Sequence, residues 1–179
     1  RKEIKNAIGE MLNQGLLTSF AFVYEKRAEL CEVLQSLSPK PANYQAALFS
    51  GGSEAVEYAI KLARTYALES YGPSRKYLVS FNNAFHGGTL GSVLAGGKAV
   101  LKKWIVGEGS TFVQVPFPDG YKNEDISFSL FLRSLDELKV EPEQIAGVLV
   151  ESYQGGGPDF MPHAYAEQLE NFCKKNDIV

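Results

Sequence analysis

Residues 46–64, AALFSGGSEAVEYAIKLAR, decide the fold of this chain. The small apolar run QAALFS (45–50) is predicted to be a short buried strand. It breaks on Gly51-Gly52, and a helix is predicted from Ser53 to about Ser70, with Val56, Ala59, Ile60, Ala63 and Ala67 along its inner face. Gly72-Pro73 stops that helix. Two glycines allow a sharp turn and a close approach to a ligand. The helix behind them aims free N–H groups and the positive end of its dipole at whatever lies there, and Ser53 adds a hydroxyl. A phosphate group suits that turn. On these residues alone, so does a plain capped helix start.

Outward from this stretch the chain alternates. Before it, 1–15 reads as an amphipathic helix with Ile4, Ala7, Ile8, Met11 and Leu12 on one face and Gly15 after its end. A loop, LLTSFAFVY (16–24), leads to a second helix at about 25–37. Its stripe is Ala28, Leu30, Cys31 and Leu34, and Pro39 and Pro41 end it. After it come a strand KYLVSF (76–81), a glycine-rich loop NNAFHGGTLGS (82–92) and a strand TFVQVPF (111–117). A helix at about 128–138, a buried strand IAGVLVES (145–152), a loop YQGGGPDF (153–160) and a helix at about 163–175 complete the pattern. Alternating strands and helices predict an α/β fold, a mostly parallel sheet with flanking helices. Ligands in such sheets collect beyond the carboxyl ends of the strands. The loops after Ser50, Phe81 and Glu151 all sit there and are expected to converge.

Composition bounds what this site serves. With 179 residues, 45% hydrophobic and 22% charged, the chain can bury a core as an ordinary globular protein. A net charge of -3 and scattered Lys and Arg give no footprint for nucleic acid. No apolar stretch reaches the roughly 18 residues of a membrane span, and the first residues lack the apolar block of a signal peptide. Cys31 and Cys173 have neither metal-ligand nor disulfide-framework spacing, which reads as reduced thiols in a cytoplasmic protein. Arg1 stands inside a helical pattern and Ile178-Val179 look like the opening of a strand, so a piece of a longer chain is expected.

Named alternatives at the glycine turn can be tested on the sequence. A Walker loop needs Lys followed by Ser or Thr after its last glycine, and no such pair occurs; the G-x-G-x-x-G pattern is also absent. GGSEA is one residue from a hydrolase nucleophile elbow. In that reading Ser53 is the nucleophile, His86 or His163 the base, and Asp159 or Asp119 its orienting acid. Phe85 would either pack in the core or present a flat ring beside the turn. Glu151, at the end of an apolar strand, is either paired with a cation or aimed into a site, because burying it alone is costly.

Four segments in order carry a resemblance: SGGSEAVEYAIKLAR (50–64), FNNAFHGGTLGS (81–92), VQVPFPD (113–119) and VLVESYQGGG (148–157). Together they resemble the class III, ω-amino-acid type, aminotransferases, which use pyridoxal 5'-phosphate and have the fold type I architecture. The resemblance runs over the whole chain. It implies an N-terminal helical segment, 1–40, leading into the front part of the cofactor-binding large domain, 41–179. It implies that Gly52 and Ser53 bind the cofactor phosphate, that Phe85 stacks on the pyridine ring with His86 beside it, and that Glu151 sits near the ring. It implies a homodimer acting on an amino donor and a 2-oxo acid acceptor. A non-catalytic protein that kept the fold is the remaining alternative.

Three departures stand out. Ser50-Gly51 replaces the family's Asn before Ser-Gly, and Glu151-Ser152-Tyr153-Gln154 replaces its Glu-Pro-Ile-Gln. Gly156 stands where ornithine- and 4-aminobutyrate-type members carry a second, gating glutamate. The family's aspartate for the pyridine nitrogen would lie in the strand opening at Ile178-Val179, and its cofactor-anchoring lysine further on. No catalytic residue is therefore assigned within 1–179. Lys61, Lys98, Lys102, Lys103 and Lys174 read as solvated surface.

Overall fold

The computed structural model describes residues 1–15, 22–40, 44–107, 109–157 and 159–179. It divides into two compact units, Arg1–Leu48 and Phe49–Val179. The first holds α1 (Lys2–Gln14) and α2 (Glu25–Ser36). Gly15 ends α1 in the left-handed conformation, φ 75°, a geometry glycine reaches without steric cost. The apolar stripe of α1 is uncovered, with Ile4, Ile8 and Leu12 all exposed. Pro41 and most of the loop before α2 (16–21) lie outside the described residues.

The expected strand at 45–50 is not formed: these residues carry no strand pairing. Apolar composition alone does not make a strand. The ladder needs a neighbour, and among the described residues none is aligned with this segment.

In the second unit, β1 (Tyr77–Phe81) is the central strand of a parallel sheet, between β2 (Phe112–Val115) and β3 (Ile145–Val148). Its alternation sorts the two faces. Val79 and Phe81 join Val115, Phe117, Phe131 and Ile145 in an aromatic-rich core on one face. That core is closed by α5 (Phe128–Glu137) and α6 (His163–Asn176), through Leu135, Tyr165 and Leu169. Leu78 faces the other way, onto Ile60 and Ala63 of α3 (Gly52–Tyr71). Ala67 is also buried on α3, whereas Ala59 is exposed, so the inner stripe is narrower than its spacing predicts. The sheet with helices on both faces is the predicted α/β architecture.

Segments read as loop hold the first half of α4 (Leu90–Ala95) and a hairpin of β4 (Tyr153–Gln154) and β5 (Asp159–Phe160). Beneath α4 runs a polar network. Ser80 and Gln114 are cross-strand partners. Gln114 Nε2 donates to Leu94 O at 3.1 Å, and Lys102 Nζ donates to Leu94 O at 2.9 Å and to Gln114 Oε1 at 2.8 Å. Lys102 is thus a half-buried cation at a helix carboxyl end rather than solvated surface, and burial lowers its pKa.

Arg75 holds the last turn of the chain. Its side chain, 7% exposed, stacks on Tyr71 with 3.8 Å to the ring centroid. It donates to the carbonyls of Glu143 (3.1 Å), Asp177 (2.7 Å) and Asn176 (3.0 Å). Tyr66 and Tyr71 both donate to the Asp177 carboxylate, which lowers its pKa. Arg75→Met keeps the stem and strands the carbonyls. It is expected to destabilise the fold by about 2 kcal/mol, the scale of buried acceptors left unsatisfied. An unchanged urea midpoint would show that water replaces the guanidinium there without loss.

Candidate functional site

The amino end of α3 is open. Its N-cap, Gly51, offers no side-chain cap, and its φ of -156° is ordinary extended backbone. Glycine is therefore not demanded by the turn conformation. Instead, a Cβ on Gly51 or Gly52 would meet nothing within 4 Å. The first-turn N–H groups have no acceptor within the helix and lie at the positive end of a 20-residue helix. Ser53 does not cap it. Its Oγ accepts the N–H of Gly88 at 3.0 Å.

That bond brings in the turn after β1. Gly87, at φ 142°, presses on α3 so closely that a Cβ there would lie 2.5 Å from Ser53 Oγ and 2.6 Å from Ser92 Oγ. Glu57, which the sequence reading passed over, reinforces the contact. Its Oε1 accepts from Thr89 Oγ1 at 2.6 Å and from the Ser92 N–H at 3.1 Å. The available signal was spacing: Glu57 stands four residues after Ser53, on the same helix face.

The third loop arrives through Glu151. Its carboxylate accepts the N–H of Phe85 at 3.0 Å and that of Gly155 at 3.3 Å. Gln154 Nε2 adds a bond to Asn82 O at 2.8 Å. The segments carrying Ser53, Phe85 and Glu151 thus meet. The loops after β1 and β3 follow strand carboxyl ends, whereas among the described residues the turn before Ser53 has no strand ahead of it. Among the described residues Glu151 has no salt bridge, so backbone donors compensate its charge. Phe85 is 50% exposed rather than packed in the core, with Lys98 Nζ 5.6 Å from its ring centroid. His86 is half-buried, and its Nε2 has no hydrogen-bond partner among the described residues. Burial lowers its pKa, and the nearby Glu151 charge opposes that shift.

The hydrolase constellation is not assembled. Ser53 is engaged by a backbone N–H instead of a histidine. His163 is an exposed first residue of α6 beside Glu167. Asp119 spends one carboxylate oxygen on the N–H groups of Tyr121, Lys122 and Asn123 in its own turn. The side chain of Asp159 lies outside the described residues. Of the lysines, Lys61 and Lys103 are exposed, and Lys174 pairs with Glu170 on the surface of α6. Lys98 differs from its solvated reading, lying half-buried against Phe85.

Free helix N–H groups, a hydroxyl and a half-exposed aromatic residue fit a ligand that is anionic at one end and a flat aromatic at the other. Comparison with known proteins points the same way. The family model for class-III aminotransferases matches residues 1–179. An uncharacterized aminotransferase of Bacillus subtilis is 30% identical over 184 aligned residues, covering 100% of this chain and 40% of that protein. The acetylornithine aminotransferase of Brucella melitensis is 36% identical over 134 residues, 73% of this chain and 29% of its own length. An amine transaminase from an uncultivated Pseudomonas species, solved in its PLP-bound form, superposes with a TM-score of 0.83 at 27% identity, over 100% of this chain and 43% of that one. The chain thus spans about 40% of the length of the first of these relatives.

Proposed function

We propose, from the premise that this chain belongs to the class-III aminotransferase family, that it forms the phosphate- and ring-binding part of a pyridoxal 5'-phosphate-dependent aminotransferase. The activity is transfer of an amino group from an amine or amino acid to a 2-oxo acid. The observation that carries this reading is the meeting of three loops, through Ser53 with Gly88 and Phe85 with Glu151, around the open end of α3. Gly52 and Ser53 would hold the phosphate, Gly52 through its N–H and Ser53 through N–H and hydroxyl. Phe85 would orient the ring by stacking on it, and Glu151 would fix the Phe85 backbone. His86 would lie beside the ring, its Nε2 buried rather than open to solvent. When bound, the cofactor supplies the carbonyl that takes up the amino group and the ring that accepts electrons. The chain's own residues bind and align it.

The reading extends to organisation: a helical segment, 1–40, leading into a large-domain part, 41–179, within a cytoplasmic homodimer that engages neither nucleic acid nor membrane. A net charge of -3 supports the last point. So does the lack, among the described residues, of any helix long and apolar enough to cross a membrane.

The test is optical. The full-length protein with pyridoxal 5'-phosphate should gain an absorbance near the visible edge that an amine donor bleaches. Labelling of Ser53 by a fluorophosphonate, with no such absorbance, would overturn the proposal. Within it, Ser53→Ala is expected to weaken cofactor binding by about 1 to 2 kcal/mol, the scale of one hydrogen bond to a charged group. A dissociation constant equal to wild type would remove Ser53 from the phosphate site.

A further inference from the structure

Resting on the cofactor reading above, we propose that Glu57 is a positioning residue: it tethers the 87–92 turn to α3 so that the Ser53 hydroxyl proton faces the cofactor phosphate. A hydroxyl has one proton and two lone pairs. The Gly88 N–H occupies a lone pair of Ser53 Oγ and leaves the proton to be given outward. That arrangement holds only while the turn stays against the helix. Glu57 is the side chain of α3 that keeps it there, by accepting from Thr89 and Ser92 on either side of Gly91.

Gly91 shows how closely the carboxylate is seated. A Cβ at that position would lie 2.3 Å from Glu57 Oε2 and 3.0 Å from its Cδ. The turn approaches the carboxylate with a bare α-carbon, and any side chain there would push the carboxylate away. The tether is separable from the local fold of the turn. Thr89 N–H donates to Ser92 Oγ at 3.0 Å, and Ser92 Oγ donates to Thr89 O at 3.0 Å, neither bond involving Glu57. Without Glu57 these two bonds remain, and what is lost is the carboxylate's hold on Thr89 and Ser92.

The experiment measures dissociation constants of the full-length protein for pyridoxal 5'-phosphate and for pyridoxal, which lacks the phosphate. It uses wild type, Glu57→Ala, Glu57→Gln, Gly91→Ala, Ser53→Ala and the Ser53/Glu57 double alanine variant. Glu57→Ala is expected to weaken pyridoxal 5'-phosphate about tenfold, as when one hydrogen bond to a charged group is misaligned. Pyridoxal binding should stay at wild type. The phosphorus NMR shift of the bound cofactor should move in Glu57→Ala as it does in Ser53→Ala. In the Ser53→Ala background, Glu57→Ala should add only about twofold or less, because both act through one hydroxyl. Glu57→Gln keeps an accepting Oε1 and should restore binding. Gly91→Ala displaces the carboxylate without deleting it, and should reproduce the loss even if Glu57→Ala fails to fold. The proposal is overturned if Glu57→Ala and Gly91→Ala bind the cofactor as wild type does, if pyridoxal is weakened equally, or if the Ser53 and Glu57 effects add. A wild-type protein that binds no cofactor would instead remove the functional reading on which this rests.

Discussion

Replacing Gly97 with alanine in the full-length protein is expected to cost about 3 kcal/mol or more, the upper end of what over-packing does. The added methyl would lie 2.2 Å from Phe81 O, 2.4 Å from Asn83 N and 2.7 Å from Asn82 C. All three are backbone atoms, so no side chain can rotate aside. Gly97 is also bonded at both its polar groups, N–H to Ala84 O at 2.9 Å and carbonyl from Asn83 N–H at 3.3 Å. To admit a methyl, the segment leaving β1 must move, and Phe85 and His86 move with it. A denaturation midpoint lowered by the equivalent of only about 1 kcal/mol or less would show that this backbone yields cheaply.

The second large effect concerns Gly156. Glutamate at this position is the obvious way to install the gate of ornithine- and 4-aminobutyrate-type relatives. The structure predicts loss rather than a change of substrate. A Cβ at Gly156 would lie 2.1 Å from Asn83 O and 2.8 Å from Lys98 Cε. The lysine stem can bend away, but the carbonyl cannot, because Asn83 is held by Gly97 and its neighbour Asn82 by Gln154. Gly156→Glu should therefore displace the turn that carries Phe85. If about 3 kcal/mol of over-packing is relieved at the expense of the site, cofactor affinity falls about a hundredfold. No turnover of ornithine or 4-aminobutyrate is expected. A variant with wild-type cofactor affinity would refute this account of the loop.

Much of the fold was legible because its signals are local. The long α3, with its apolar spacing and Gly72 stop, needs only its own residues to be recognised, and the same holds for α5, α6 and the apolar strands β1 and β3. Where the outcome depended on a distant partner, the sequence was silent or misleading. QAALFS has strand composition but no ladder to join. In α4, Gly91 disguises a helix as loop, and the reason for glycine there is a carboxylate from a helix more than thirty residues earlier. Lys102 looks like any surface lysine until Leu94 O and Gln114 close around it. The turn at Gly51-Gly52 reaches the other two loops with no strand ahead of it among the described residues. The meeting of the loops after β1 and β3 could be expected from topology, since parallel strands deliver their carboxyl ends to one edge. The tether at Glu57 could not, because it is a fact about which hydroxyl and amide a particular turn presents.

The seating of Gly91 against Glu57 has an evolutionary consequence. An acid at 57 and a bare α-carbon at 91 are two halves of one fitted joint, carried on separate stretches of the gene. A side chain at 91 must displace the carboxylate at 57, while loss of the acid at 57 leaves the bare α-carbon at 91 with nothing to accommodate. What either position does therefore depends on what stands at the other. A crossover between homologous genes anywhere from codon 58 to codon 90 would inherit one half from each parent. Such chimeras should survive chiefly when both parents already hold a matching pair, which makes this short interval a poor place for natural recombination or laboratory gene shuffling to cut.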